Sequence, residues 1–179
     1  MKEGNNSGLI LTGTISETHL SLFETEVERI ISNKIKGLNI TLNSPGGDVN
    51  TAIKIINQIT KLKDKGIDVN THGIKLVGSA ALAIYAHGML RTLETSASIV
   101  IDLPFKIYDK KLALGFPQTE KELLRLIEEN KLIQLGRVQW AEVFSEITNQ
   151  PIETIYKLEG KYLTANEAQE LGFCHTILN

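Results

Sequence analysis

The sequence contains a single cysteine, Cys174, among its 179 residues. One cysteine cannot form an internal disulfide or a cysteine-based metal site, and we expect it to be a small buried or half-buried residue. No apolar run approaches the roughly 20 residues that a membrane-spanning helix needs. Residues 1–8 are polar and contain no apolar signal region. They are expected to form a flexible N-terminal segment of a cytoplasmic protein that does not contact a membrane.

An excess of positive charge is also missing. The formal net charge is −2, and the two signs are interspersed without a basic stripe, which argues against a nucleic-acid partner. With 42% hydrophobic and 22% charged residues, the composition is typical of globular proteins. The length is sufficient for one domain, which we place at residues 9–179. The sequence indicates neither a metal site nor a cofactor.

Short apolar segments alternate with helical patterns in the first hundred residues. Strands are predicted at residues 9–11, 38–42, 67–71 and 98–101. Helices are predicted at 16–32, from Asp48, which can cap the helix, to Gly66, and at 79–87. This alternation predicts an α/β fold with βαβ units and a mainly parallel sheet. Ligands of such sheets gather at the carboxyl ends of the strands.

The residues best suited to catalysis lie at two strand-to-helix junctions. The turn Asn43-Ser44-Pro45-Gly46-Gly47 follows one strand, and its glycines permit a tight turn whose N–H groups can hold an oxyanion. Ser79 begins the next small-residue helix. A donor turn and a serine are two parts of an acyl-transfer site. The alternative is that Ser79 is only a helix cap and that the fold itself requires the turn.

The sequence after Pro104 changes in character. Thr119 and Glu122 form a predicted capping box, and an amphipathic helix follows to roughly Ile147. A helix of this length is expected to protrude and to need a partner surface. The alternative is a helix folded back on the sheet and broken near Gly136. A short helix is predicted from Gln150-Pro151, and a second capping box at residues 164–167 precedes a helix that ends at Gly172.

In their order along the chain, several motifs resemble the proteolytic subunit of the ATP-dependent Clp protease, ClpP, in the ClpP/crotonase superfamily. They are Leu11-Thr12-Gly13, Asn43-Ser44-Pro45-Gly46-Gly47, the interval from Val69 to Ser79, and Tyr162-Leu163-Thr164-Ala165. The Asn-Ser-Pro-Gly-Gly-Asp form also looks like phage prohead proteases. The resemblance implies a ClpP/crotonase-like fold of repeated ββα-type units, with a handle region at about 105–147.

The same resemblance implies a serine peptidase with a Ser-His-Asp triad, assembled as two stacked seven-membered rings and supplied by an AAA+ unfoldase. Ser79 matches the nucleophile. The backbone N–H groups of Gly46 and Ala80 match the oxyanion donors, with Gly47 in the same turn.

The chain departs from this family pattern at the proposed catalytic base. Asp102 stands at the family's histidine position, and the segment 152–161, where the family has an aspartate, offers only Glu153 and Glu159. Lys75 replaces a family glycine four residues before the serine. A carboxylate, with an ordinary pKa of about 4, has little tendency to deprotonate a serine hydroxyl at neutral pH.

Other side chains are possible bases. His72 and Lys75 precede Ser79 by seven and four residues, and Asp102 would serve only if burial raised its pKa. His87 lies about 12 Å along the helix from Ser79, beyond hydrogen-bond reach. His19 and His175 are expected to be exposed.

The sequence therefore predicts a ClpP-like ring subunit with an incomplete triad and impaired or absent activity. Self-association would use the handle helix, and a ClpP paralogue could complete the ring. Coupling to an AAA+ unfoldase is not expected, since only eight polar residues precede Leu9. The alternative is an active Clp-type or prohead-type endopeptidase that cleaves polypeptides with an unusual base. An acyl-CoA-binding crotonase relative is disfavoured by the chain length and the handle-like helix.

Overall fold

The structure is a computed structural model that describes residues 6–104 and 119–179. Its described parts contain seven strands and six helices. The strands are β1 (Asn6–Thr12), β2 (Gly37–Ser44), β3 (Asp68–Gly78), β4 (Arg91–Glu94), β5 (Ser98–Val100), β6 (Tyr162–Thr164) and β7 (Thr176–Leu178). The helices are α1 (Glu17–Ser32), α2 (Val49–Asp64), α3 (Ser79–Ala86), α4 (Glu120–Thr148), α5 (Ile152–Leu158) and α6 (Ala165–Glu170).

The sheet is parallel except at one edge. Its main path runs β1-β2-β3-β4-β7, and every pair along that path is parallel. β3 has two neighbours in succession, since residues 71–73 pair with β4 and residues 76–78 pair with β5. β6 pairs antiparallel with β5. The α/β prediction with a mainly parallel sheet is therefore confirmed.

The core lies on one face of this sheet. Alternate residues of β2, such as Leu38 and Ile40, are fully buried, whereas Asn39 between them is exposed. The buried face packs against helices that contribute Phe23, Ile55 and other apolar side chains. β1 is an edge strand and begins at Asn6, so it includes residues 6–8 of the segment that was predicted to be flexible.

The expectation that residues 9–11 form a wholly buried strand is wrong for Ile10, which is 64% exposed. Successive side chains of a strand point to opposite faces, and only one face of this strand meets the core.

β3 extends seven residues beyond the predicted strand and ends at Gly78. Gly73 pairs with Leu42 and Val77 with Ser44, so two extra residues of β3 are accommodated between these pairs. His72 and Lys75 therefore lie within a strand, whereas the sequence predicted a strand end and a loop. Three short strands of three or four residues each, β4, β6 and β7, are not predicted by the sequence analysis.

Helix boundaries follow local capping. The Asp48 side chain accepts a hydrogen bond from the Thr51 N–H at 2.7 Å, as the sequence predicted for the start of α2. Thr164 and Glu167 form the reciprocal capping box of α6. The Thr119 hydroxyl accepts from the Glu122 N–H at the start of α4.

The long helix α4 runs through Gly136 without a break for 29 residues. Only its C-terminal part packs into the core, where Trp140 and Phe144 meet edge to face and Phe144 meets Phe173. Large apolar side chains of its earlier turns are exposed, namely Leu123, Leu124, Ile127, Leu132 and Leu135. The predicted handle region begins at residue 105, and residues 105–118 lie outside the described part of the chain.

Arg91 ties the C-terminal segment to the sheet. Its guanidinium is buried and donates hydrogen bonds to the carbonyl oxygens of Phe173 at 2.8 Å, Gly172 at 3.2 Å and Gly88 at 3.4 Å. Burial lowers the pKa of this guanidinium. Within residues 6–104 and 119–179 no carboxylate forms an ion pair with Arg91, so its hydrogen-bond partners there are backbone carbonyl oxygens.

Among the helices that the structure describes, we find none with the length and apolar character required to cross a bilayer.

Candidate active site

Ser79 occupies a sharp turn between β3 and α3. Its φ angle is +46°, in the left-handed region that few residues other than glycine adopt. The side chain is half-buried, while the seven residues that follow it in α3 are buried. A strained residue at a strand-to-helix turn is a recurrent feature of functional sites. The sequence contained no sign of this conformation.

Gly46 lies directly against Ser79, so the structure brings the two predicted junctions together. A Cβ atom at Gly46 would be 2.6 Å from the Ser79 Cβ, 3.0 Å from the Gly78 carbonyl oxygen and 3.1 Å from the Ala80 nitrogen. Such contacts leave no room for a side chain. Gly46 also has φ +113°, so glycine is required here for both conformation and space.

The amide groups of this turn have different partners. The Gly46 N–H donates to the Ser44 hydroxyl at 3.1 Å, and the Gly46 carbonyl accepts from the Ile15 N–H at 2.8 Å. Gly47 and Ile15 form a parallel β-bridge. In this bridge the Asp48 N–H donates a hydrogen bond to the Ile15 carbonyl at 2.9 Å. In that pattern the N–H of Gly47 itself points away from Ile15.

The Gly47 N–H has no hydrogen-bond acceptor among the described residues. The Ala80 N–H belongs to the first turn of α3, where an amide has no partner within the helix. Of the three predicted oxyanion donors, the structure thus leaves the amides of Gly47 and Ala80 available and engages that of Gly46. The sequence analysis did not identify the Ser44 hydroxyl. Its hydrogen bond distinguishes the Gly46 amide from the amides of Gly47 and Ala80.

Asp102 lies at the same end of the sheet as Ser79. Val100 pairs with Gly78, the residue before Ser79, and Asp102 follows Val100 by two residues. The carboxyl group is half-buried. Within residues 6–104 and 119–179, neither the Asp102 carboxylate nor the Ser79 hydroxyl has a hydrogen-bond or ion-pair partner. The two groups therefore do not bond to each other.

The two acids of the segment 152–161 are placed differently. Glu159 forms a bridge with Ile101, next to Asp102, and its carboxylate accepts from Arg137 at 2.6 Å. Glu153 lies in the first turn of α5 and is exposed. Glu159 is therefore the acid near the site, and it is already paired with an arginine.

His72 is held far from Ser79. Its Nδ1 atom contacts the Thr92 hydroxyl at 2.9 Å, and its Nε2 atom is 4.0 Å from the Glu94 carboxylate. With a rise of about 3.3 Å per residue and allowance for the two extra residues of β3, His72 is roughly 15 Å from Ser79 along the strand. This placement argues against His72 as the base. Lys75 is exposed and has no hydrogen-bond or ion-pair partner in the described ranges.

The remaining histidines serve the fold. His87 at the end of α3 contacts the Ala83 carbonyl through Nδ1, and burial lowers its pKa. His19 is half-buried, not exposed as predicted, because its ring contacts the Ser16 hydroxyl and the Thr12 carbonyl. His175 is exposed and accepts a hydrogen bond from the Arg91 N–H. In the ranges that the structure covers, no group of three or more histidine, cysteine or acidic side chains is arranged to hold a metal ion.

Comparisons with known proteins bear on the fold and on the family of this chain. A solved structure of a ClpP1 point mutant from Listeria monocytogenes superposes with a TM-score of 0.77, at 23% identity over 96% of this chain and 91% of that chain. The ATP-dependent Clp protease proteolytic subunit of Carsonella ruddii is 28% identical over 151 residues, which cover 83% of this chain and 71% of that protein. The sequence profile of the family described as Clp protease matches residues 9–179. This chain therefore belongs to the Clp protease family.

Proposed function

We propose that this chain is a Clp-protease-type ring subunit whose serine site lacks a working general base, so that its peptidase activity is impaired or absent. The observation that carries the proposal is the surroundings of Ser79. The hydroxyl has no hydrogen-bond partner in residues 6–104 and 119–179, and Asp102 stands where the family resemblance calls for histidine.

The chemistry explains why this difference matters. A serine hydroxyl attacks a carbonyl only when an adjacent group accepts its proton. Histidine does so efficiently because its pKa lies near neutrality, whereas a carboxylate with an ordinary pKa of about 4 is a much weaker base. Loss of one triad member typically lowers the rate by about four orders of magnitude or more. The amides of Gly47 and Ala80 could still bind an oxyanion, but that alone gives weak catalysis.

Self-association is the second element of the proposal. The exposed apolar side chains on the early turns of α4 are the feature that supports it, because contiguous exposed apolar surface marks interaction sites. We place α4 at a contact between subunits of a ring, formed by copies of this chain or with an active paralogue. Coupling to an AAA+ unfoldase is not part of the proposal.

An active endopeptidase with an unusual base is the alternative, with a polypeptide as substrate. The left-handed conformation of Ser79 favours it, because backbone strain of about 1–3 kcal/mol persists where function or packing demands it. Asp102 is the acid placed at the site, and Lys75 is the nearest lysine by sequence.

Labelling with a fluorophosphonate probe distinguishes the two. We expect little labelling of the wild-type protein at Ser79, and faster labelling of Asp102→His, because an imidazole at this position restores the proton acceptor. The Ser79→Ala and Asp102→His/Ser79→Ala variants are the matched controls and should remain unlabelled.

Rapid labelling of the wild-type protein that Ser79→Ala abolishes would refute the impaired site and favour the active peptidase. Sedimentation of the same preparations tests the ring. A monomer at micromolar concentration would contradict self-association without bearing on the site.

A further inference from the structure

His175 supplies a hydrogen-bond acceptor at the point where β7 joins the sheet. β7 pairs in parallel with β4 from Thr176 to Leu178. Directly before this pairing, the His175 N–H donates to the Arg91 carbonyl at 2.8 Å, and the Arg91 N–H donates to the Nδ1 atom of the His175 ring at 3.0 Å. The imidazole therefore takes the place that a backbone carbonyl has in a regular ladder, as the acceptor for the Arg91 amide.

This hydrogen bond fixes the protonation state of the ring. A backbone N–H can only donate, so the Nδ1 atom presents its lone pair and the proton of the neutral ring lies on Nε2. In the imidazolium form both ring nitrogens are donors, and the Nδ1–H would face the N–H of Arg91. Protonation of His175 therefore removes the bond, whereas a peptide carbonyl in the same place would not respond to pH.

The groups around the ring disfavour its protonation. From β4, the positive guanidinium of Arg91 acts on it, and partial burial followed by this charge lowers the pKa of His175. From α6, the contact is the uncharged Gln169 amide, which donates to the His175 carbonyl at 3.1 Å. Within residues 6–104 and 119–179, no carboxylate forms an ion pair with the ring. Tyr85 and Cys174, which lie near Arg91, stay neutral near pH 7 because burial raises the pKa of each.

The contacts on either side of His175 define the segment that the ring controls. The Arg91 guanidinium binds the carbonyl oxygens of residues 172–173, so the chain stays attached up to that point whatever the state of the ring. At the other end, the Thr95 N–H donates to the Leu178 carbonyl at 2.9 Å. Between these attachments, β7 is held by three residue pairs at the edge of the sheet. So short an edge strand has few bonds, and the loss of one is a large share of them.

We propose that His175 is a proton-sensitive clasp on β7: the neutral ring holds the strand against β4, and the protonated ring loosens residues 175–178. The stability that the clasp adds is complete above the pKa of a free histidine side chain, about 6.5. It is lost as the pH falls from there through the lower pKa of the folded protein. Loosening of β7 uncovers the outer edge of β4. The clasp does not involve Ser79, so it is independent of the function proposed for the serine site.

Amide hydrogen exchange at two pH values tests the clasp. Protection factors, which are corrected for the intrinsic effect of pH on exchange, report the local opening. In the wild-type protein, we expect the protection factor of the Arg91 amide to be about three- to tenfold lower at about pH 5.5 than at about pH 7.5. The upper limit follows from linkage, since a free imidazole one unit below its pKa is protonated about ten times more often than it is neutral. The amides of Leu38 to Leu42 in β2 are the internal reference and should be unchanged.

His175→Asn is the matched control. The Oδ1 atom of asparagine is as many bonds from the backbone as the histidine Nδ1 atom, and it accepts a hydrogen bond without titrating in this range. In this variant we expect the protection of the Arg91 amide to be close to the wild-type value at the higher pH and to stay there at the lower pH. His175→Ala removes the acceptor, so protection should be low at both pH values.

Equal protection of the wild-type Arg91 amide at both pH values would overturn the proposal, and so would a loss of the same size in His175→Asn. The nitrogen chemical shifts of the wild-type His175 ring give a second measurement that needs no variant. A neutral ring protonated on Nε2 supports the clasp, and a neutral ring protonated on Nδ1 refutes it. If His175→Asn also lowers the protection of Leu38 to Leu42, these ring shifts decide.

Discussion

Replacement of Gly46 by alanine tests the packing on which the candidate site depends. The new Cβ atom would lie 2.6 Å from the Ser79 Cβ and about as close to fixed backbone, at 3.0 Å from the Gly78 oxygen and 3.1 Å from the Ala80 nitrogen. None of these atoms is the end of a flexible side chain. The turn and the start of α3 must therefore separate to accommodate one methyl group.

The magnitude follows from two contributions. Overpacking of a rigid site costs about 1–3 kcal/mol, and the φ angle of +113° adds about 1–3 kcal/mol for a residue with a side chain. We expect Gly46→Ala to lower the free energy of unfolding by about 2–6 kcal/mol. In a chain of this length, that corresponds to a melting temperature lower by roughly 4–24 °C.

Gly66→Ala is the matched control. Gly66 has φ +72°, and no atom lies within 4 Å of the position that its Cβ would take. Only backbone strain applies there, about 1–2 kcal/mol, partly offset because alanine also restricts the unfolded chain. Urea unfolding of both variants at one protein concentration gives the comparison, since assembly would make stability depend on concentration. If Gly46→Ala is no more destabilising than Gly66→Ala, the close approach of Gly46 to Ser79 is refuted.

Two further predictions concern stability away from the site. Arg91→Met should lower the free energy of unfolding by about 2–4 kcal/mol, because three carbonyl oxygens lose a charged donor. The control Arg125→Met should change it by less than about 0.5 kcal/mol. Equal effects of the two variants in urea unfolding would contradict this role of Arg91. The pKa of Asp48 is lowered mainly by a hydrogen bond from the Thr51 side chain and, to a smaller extent, by one from the Thr51 backbone N–H. The stability from this cap is therefore present above the pKa of Asp48 in the unfolded chain, and it is lost as the pH falls through the pKa of Asp48 in the folded protein. Asp48→Ala should therefore cost about 1 kcal/mol at pH 7. In thermal melts, the difference between the two proteins should begin to shrink below about pH 4 and should shrink further as the pH falls; a difference independent of pH would contradict the assignment.

Local patterns explain what the sequence could predict. The Pro-Gly-Gly turn after β2 and the Asp48 cap depend on residues within a few positions of one another, and both appear where they were expected. The same holds for the capping box at Thr164 and for the length of α4, whose periodicity extends over many turns. These features need no knowledge of distant partners.

Features that depend on distant pairing were not predictable. The second half of β3 contains glycines at both ends and Lys75 between them, and its pairing with β5 and with Ser44 of β2 makes it a strand. The engagement of the Gly46 amide by the Ser44 hydroxyl depends on the folded shape of the turn. Arg137 and Glu159 are 22 residues apart, and no short motif connects them.

The glycines of the candidate site support packing as well as chemistry. Gly46 is required by its contact with Ser79, and Gly47 by its contact with Ile15, whose carbonyl oxygen would lie 2.4 Å from an added Cβ. Both would be needed in an inactive protein. Retention of the turn therefore supports the fold and says little about activity.

The Ser79 hydroxyl and the Asp102 carboxylate differ from these glycines, because neither has a bonding partner among the described residues. Packing does not explain these two groups. Substitutions of Ser79 and Asp102 are therefore expected to change activity more than stability. An active enzyme needs a proton acceptor at the second position, and the residue there is a carboxylate that no described cation pairs with. Variants of Ser79 and Asp102 thus separate the scaffold from the reaction, whereas variants of the glycines change both together.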